Sequence, residues 1–139
     1  MRRVARPGTA VSGCVWDYRG GMRLLRSFWD AAIDLGLPQA EVRDQGRTMP
    51  FCTPTELSEL WLAADLREVE TGDIVAAADQ SFDELWAPLA QGISPADVYL
   101  TSLPMSVRDT LRNELFQRLG SPEARFQLPA GAFWVRGRR

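Results

Sequence analysis

Histidine and lysine are both missing from this 139-residue sequence, and all sixteen positive side chains are arginines. The chain therefore has no lysine for a Schiff base and no histidine for a Ser–His or Cys–His nucleophile pair. Its two cysteines, Cys14 and Cys52, are too few for a zinc site when no histidine can join them. Since the usual general base and the usual metal ligand are absent, we expect no metal site.

The charge balance is nearly neutral, with a formal net charge of −2, and this argues against a nucleic-acid groove. No run approaches the roughly 18 apolar residues of a membrane span. The basic start is interrupted by Arg6, Pro7 and Gly8, so it is not a signal peptide. We expect a cytoplasmic protein that binds neither nucleic acid nor membrane. The hydrophobic fraction of 45% and five tryptophans predict one domain over residues 1–139, with both cysteines as buried thiols.

Three segments have the patterns of β-strands. Residues 10–18 contain no charge before Asp17 and predict a strand buried on both faces. Residues 66–77 predict a second strand, with a bulge or bend at Gly72–Asp73. Residues 125–136 predict a last strand, which alternates at first and then becomes continuously apolar, as expected of a central strand.

Helical patterns fill the intervals between these strands. An amphipathic helix follows Gly21, and its apolar stripe includes Trp29, which we expect in the core. Residues 38–54 predict a loop with at most a short helical turn, and the phrase TPTE at residues 53–56 then predicts a capped helix. Two short helices are predicted to start at Ser81 and Ser94, and a last helix at Ser106, which Gly120 ends. The result is a mixed α/β fold with about four to five helices.

Several short phrases occur in an order that is found in one known family. These are residues 1–8 (MRRVARPG), 15–18 (VWDY), the capped helix and following strand start at 53–69, 82–88 (FDELWAP) and 132–138 (AFWVRGR). Together they resemble the C-terminal half of class I S-adenosylmethionine-dependent methyltransferases of the type 11, UbiE-like group. One departure is Thr9, which stands where the family has a second glycine.

The resemblance implies strands five, six and seven of the family's 3-2-1-4-5-7-6 sheet. This is a partial Rossmann-like sheet of order 5-7-6, with the last strand central and antiparallel. The family binds S-adenosylmethionine through a glycine-rich loop after strand one, and no G-x-G-x-G occurs in this sequence. We expect the cofactor-binding half to lie outside this chain, and the chain alone not to bind the cofactor. The edge of strand Ala10–Tyr18 is then free. We expect the missing N-terminal half or a second copy to cover it, giving a homo- or hetero-oligomer.

Candidate site residues lie at the carboxyl end of the first strand, where ligands bind in open α/β sheets. The resemblance implies that Trp16, Asp17 and Tyr18 line the substrate side of an active site. The alternative for Asp17 is a cap of the turn at Gly20. Trp86 belongs either to a lid over the substrate or to the core. No catalytic or cofactor-binding residue is assigned.

Two functions remain open as expectations. The first is methyl transfer to an unknown small-molecule acceptor, in which this chain is the substrate-side half of the enzyme and is inactive alone. The second is a non-catalytic α/β assembly or small-ligand-binding module that dimerises through the edge of the first strand. The lack of histidine and lysine is compatible with the first function, because the sulfonium of the cofactor is already activated and the enzyme mainly supplies proximity and orientation.

Overall fold

The computed structural model of the chain describes residues 2–139. Its three strands are β1 (Ala10–Trp16), β2 (Arg67–Gln80) and β3 (Phe126–Arg138), and a 3-10 turn at Arg2–Val4 precedes them. The described part also contains seven α-helices: α1 (Arg23–Asp34), α2 (Ala40–Arg43), α3 (Gln45–Thr48), α4 (Pro54–Ala63), α5 (Phe82–Leu89), α6 (Pro95–Ser102) and α7 (Met105–Arg118). The predicted α/β class is confirmed. The helix count exceeds the prediction because two one-turn helices, α2 and α3, lie in the segment predicted as a loop with at most one short helical turn.

The strands form one sheet of order β1-β3-β2, in which β3 is antiparallel to both neighbours. β1 pairs with the second half of β3, from Ala10 opposite Arg138 to Trp16 opposite Ala132. β2 extends further and pairs with the first half of β3 as well. The predicted central, antiparallel position of the last strand is confirmed. Proline can occupy position 129 of β3 because the pairing of β1 with β3 ends at Ala132. Beyond that point β1 offers no partner for a backbone N–H of β3, so the N–H that Pro129 lacks is not needed on the side of β1.

The irregularity of β2 lies elsewhere than predicted. The register of β2 against β3 shifts between Arg67 and Glu70, where Glu68 has a φ of 50°. Gly72 instead pairs regularly with Trp134, and a Cβ added to it would lie 2.6 Å from the indole Nε1. The prediction of a bulge at Gly72–Asp73 is therefore wrong. The glycine is there because the Trp134 ring lies against the backbone of the neighbouring strand.

The two faces of the sheet differ. On one face, Val11 and Val135 are buried against Leu57 and Trp61 of α4, and the Trp61 indole donates to the Val11 carbonyl oxygen at 3.2 Å. On the other face of β1, Ser12, Cys14 and Trp16 are exposed. The prediction that β1 is buried on both faces is wrong, and so is the prediction that Cys14 is a buried thiol. Cys52 is buried as predicted.

A larger core forms among the helices. Phe28 and Trp29 of α1 pack with Tyr99 of α6 and with Leu111 and Leu115 of α7. The predicted caps of α5 and α6 are confirmed, since Ser81 with Glu84 and Ser94 with Asp97 form complete capping boxes. The predicted start of the last helix at Ser106 is wrong, because α7 begins at Met105 after Pro104 without a side-chain cap. Within residues 2–139, no helix has the length and apolar character that a membrane crossing requires.

A buried ion pair joins α1 to the segment that contains α2 and α3. Arg26 donates to both carboxylate oxygens of Asp44, at 3.1 and 2.7 Å, and Asp44 is completely buried. The same carboxylate caps α3 by accepting the N–H of Gly46 at 2.8 Å. Arg26 also pairs with Asp30, whose side chain is 45% exposed. One guanidinium therefore has a buried and an exposed partner.

These two partners of Arg26 predict very different losses of stability. We expect Asp44→Asn to lower the free energy of unfolding by about 3 kcal/mol, because it leaves the Arg26 charge without its buried counter-ion. The matched variant Asp30→Asn removes a carboxylate from the same guanidinium at an exposed position and is expected to cost less than about 1 kcal/mol. Urea denaturation of both variants measures the difference, and equal losses would contradict this account of Asp44.

Candidate functional site

The end of β1 leads into a tight turn built around Asp17. Its carboxylate accepts the backbone N–H groups of Arg19 and Gly20 at 3.0 Å each, and that of Gly21 at 2.7 Å. The backbone N–H of Asp17 donates to the Gly131 carbonyl oxygen at 2.9 Å, so the turn is also tied to β3. Asp17 thus lies where the sequence places it, and its side chain organises the turn, as the capping alternative states.

Two glycines allow this turn to lie directly on the sheet. A Cβ added to Gly21 would lie 2.8 Å from the Gly131 Cα, and one added to Gly131 would lie 2.9 Å from the Gly21 Cα. The two backbones also share a hydrogen bond from the Gly131 N–H to the Gly21 oxygen at 2.9 Å. The start of α1 is therefore held against β3 by a contact that only glycine allows on both sides.

The other residues predicted at this strand end take different positions. Trp16 is 49% exposed and pairs with Ala132, whose other neighbour, Ile74 of β2, is 47% exposed. Tyr18 is half-buried, and its carbonyl oxygen faces Gly46 of α3 so closely that a Cβ there would lie 2.5 Å away. Trp16 thus begins an apolar row across the open face of the sheet, whereas Tyr18 contacts the helical side.

Within the described residues, Trp86 does not lie with Trp16, Asp17 and Tyr18 at the end of β1. It is half-buried in α5, where its ring stacks on Phe82 with 6.3 Å between ring centroids and 17° between planes. Phe82 in turn contacts Phe116 of α7 edge-on at 5.0 Å. Trp86 packs against the helical core, and this favours the core alternative over the lid. Trp29 is buried, as predicted.

An apolar cavity of about 320 Å³ opens beside the turn. Its walls are the start of α1, the helix α5 and the β2–β3 ribbon. The lining residues come from four separate segments of the chain: Met22, Arg23, Leu24, Ala76, Ala77, Ala78, Gln80, Glu84, Leu85, Pro88, Leu89, Leu128, Pro129 and Ala130. Sequence reasoning missed this site because no motif marks residues that meet only through the sheet pairing and the placement of α5.

On another side of the turn, an acidic group holds the start of α4. Glu56 accepts from the Thr53 hydroxyl at 2.9 Å and from the Cys52 N–H at 3.1 Å, and it pairs with Arg19 at 3.1 Å. The hydrogen bond from Thr53 and the Arg19 charge lower the pKa of Glu56, although desolvation opposes them. Burial and then the Glu56 charge raise the pKa of the Cys52 thiol. Cys52 is therefore a protonated, unreactive thiol at neutral pH.

The described residues 2–139 contain no group of three or more histidine, cysteine, aspartate or glutamate side chains that could hold a metal ion. Neither a family model nor a curated protein matches the chain. The features of the chain that bear on function are the sheet topology, the turn at Asp17 and the cavity.

The glycine contact predicts a cost for any side chain at Gly131. We expect Gly131→Ala to lower the free energy of unfolding by about 1–3 kcal/mol, since its Cβ meets backbone atoms that cannot rotate away. Gly20→Ala in the same turn is the control, because the nearest atom to its Cβ is an Asp17 carboxylate oxygen at 3.8 Å. Thermal and urea unfolding of both variants test this. Equal stability would show that the strand and the turn are not held in contact.

Glu56 predicts a specific acid sensitivity. Its pKa is lower in the folded chain than the ordinary value of 4.5, so its stabilising effect is complete above that value. The effect is lost as the pH falls through the lowered pKa. We expect the melting temperature of the unchanged chain to fall more steeply than that of Glu56→Gln between about pH 5 and about pH 2. Glu59→Gln, on the same helix, removes a charge without these contacts and should leave the steep fall in place. Parallel profiles for the unchanged chain and Glu56→Gln would contradict the prediction.

Proposed function

We propose that this chain is the substrate-side part of a class I methyltransferase-like enzyme, which transfers a methyl group from S-adenosylmethionine to a small-molecule acceptor. In this proposal, the glycine-rich part of the fold that binds the cofactor lies outside residues 1–139 and pairs with β1. The chain contributes the wall of the acceptor site and is inactive alone.

The order of the sheet is the observation that carries the proposal. β3 lies between β1 and β2 and is antiparallel to both, so β1 and β2 run parallel to each other. This is the arrangement of the last three strands in a 5-7-6 methyltransferase sheet. The carboxyl end of β1, with Trp16, Asp17 and Tyr18, would then border the site where acceptor and cofactor meet.

The chain's own residues do not fit the cofactor. The sequence has no G-x-G-x-G loop. In the turn between β1 and α1, the backbone N–H groups of Arg19, Gly20 and Gly21 are already bound by the Asp17 carboxylate. Because these donors are occupied, this strand-to-helix turn does not substitute for the missing loop. The proposal accordingly gives this chain a role in positioning the acceptor and assigns it no cofactor contact.

One observation also supports the second function. β1 is at the edge of the described sheet, and its exposed face carries Ser12, Cys14 and Trp16 without any charge. An uncharged edge strand is a template for pairing with another strand. A non-catalytic module that dimerises through this edge uses the same surface as the proposed enzyme, but it needs no cofactor.

Binding of S-adenosylmethionine separates the two functions. The DNA adjoining the coding sequence is first read for a segment that encodes a glycine-rich strand and loop, and this segment is co-expressed with the chain. We expect calorimetry to detect no binding by the 139-residue chain alone and micromolar binding by the assembled pair. Binding by the chain alone would contradict the assignment of the cofactor to another part of the fold.

The oligomeric state supplies the second readout. A symmetric dimer of the chain that ignores the cofactor, together with an assembled pair that also fails to bind it, would overturn the methyltransferase proposal in favour of the module. Analytical ultracentrifugation at several concentrations, with and without S-adenosylmethionine, gives this result.

A further inference from the structure

The cavity between α1, α5 and the β2–β3 ribbon has the properties of a ligand site in its own right. We propose that it binds a small molecule with an apolar body and one anionic group, which Arg23 recognises. This inference is independent of methyl transfer, since it requires neither a cofactor nor a second chain.

The lining of the cavity sets the apolar character of the ligand. Ala76 and Ala78 lie on the same face of β2 and leave space that larger side chains would fill. Leu85 and Leu89 of α5 and Leu128 of β3 complete the apolar wall. A volume of about 320 Å³ lies at the lower end of the range for small-molecule pockets. The cavity therefore suits a short aliphatic or single-ring body.

The charged side chains at the rim of the cavity determine the charge expected for the polar group of the ligand. Arg23 is exposed at the cavity, and its guanidinium has neither an ion pair nor a hydrogen bond within the described residues. Glu84, the acidic residue of the rim, accepts two hydrogen bonds from Arg125, at 2.9 and 2.7 Å, and another from the Ser81 N–H. Arg125 also pairs with Asp79 at 3.4 Å, but Asp79 is not among the lining residues. Of the two charged residues that line the cavity, Glu84 is held by Arg125 and Arg23 has no partner in the described chain, so the rim favours an anion.

The start of α1 adds to this preference. Arg23 is its first residue, and its first turn contains no acidic residue and no side-chain cap. The partial positive charge of the helix start therefore has no anionic partner from the helix itself, and the nearby Asp17 carboxylate is bound to the N–H groups of residues 19–21, which precede the helix. The guanidinium and the helix start act on the same end of the cavity, because Met22, Arg23 and Leu24 all line it.

Octanoate and octanol are suitable probes, since they share an apolar body and differ in charge. The chain is labelled with ¹³C at the methionine methyl groups and titrated with each probe while NMR spectra are recorded. Met22 lines the cavity, whereas Met49 and Met105 are exposed elsewhere and serve as internal controls. We expect a saturable shift of the Met22 methyl signal alone, with octanoate binding about fivefold more tightly than octanol.

Three variants sharpen the test. Arg23→Gln should abolish the preference for octanoate and leave octanol binding unchanged, while Arg43→Gln, on the exposed helix α2, should keep the preference. Ala78→Leu, opposite Leu128 in the ribbon, should lower the affinity for both probes by about tenfold, because it fills the cavity. Equal affinities of the unchanged chain for the two probes would overturn the anionic class. A Met22 signal that does not shift, or shifts of the Met22, Met49 and Met105 signals together without saturation, would overturn the site.

Discussion

The ion pair between Arg26 and Asp44 fixes the first helix against the segment that contains α2 and α3. Burial disfavours the Arg26 charge, but hydrogen bonds to Asp44 and Asp30 outweigh this and raise the pKa of the guanidinium. The residue next to Asp44, Gln45, accepts the Trp29 indole N–H at 3.2 Å, so the buried aromatic core is tied to the same segment. Without the pair, a buried carboxylate and a half-buried guanidinium would each lose their main partner. The geometry of α1, and with it the wall of the cavity, therefore depends on this contact.

The same segment supports the turn at the end of β1. Gly46, whose N–H is bound by Asp44, lies against both the Tyr18 carbonyl oxygen and the Arg26 guanidinium, with no space for a Cβ. On the opposite side, Gly21 and Gly131 bring the turn into backbone contact with β3. Glycines at 21, 46 and 131 thus allow three backbones to meet around the strand end. This backbone packing holds the turn against the sheet, while the Asp17 carboxylate organises the turn itself by accepting the N–H groups of residues 19–21.

Much of the fold could be predicted because its signals are local. Ser81 and Ser94 cap helices three residues before an acidic partner, and the apolar run at the end of the chain marks the central strand. The failures involve partners that are distant in sequence. Asp44 occurs in a polar stretch that reads as a loop, and its partner is 18 residues away. Gly72 reads as a bulge because the ring that covers it belongs to Trp134, on a strand that follows three helices. The cavity could not be predicted from the sequence for the same reason. It forms between small residues of β2 and the helix α5, whose position is set by packing in the helical core.

Because the sequence has no histidine and no lysine, every positively charged side chain around the turn and the cavity is an arginine. Arginine remains charged at all physiological pH values, so it can bind and orient anions but cannot exchange protons as a general base. Most of the arginines near the site are already paired, Arg19 with Glu56, Arg26 with Asp44 and Arg125 with Glu84. Arg23 differs because it faces a cavity and has no acidic partner in the described chain. The chemistry that arginine can support beside this strand end is one that requires only the positioning of a ligand, for example against a reagent that is already activated. Methyl transfer from a sulfonium meets that requirement, and so does simple ligand binding.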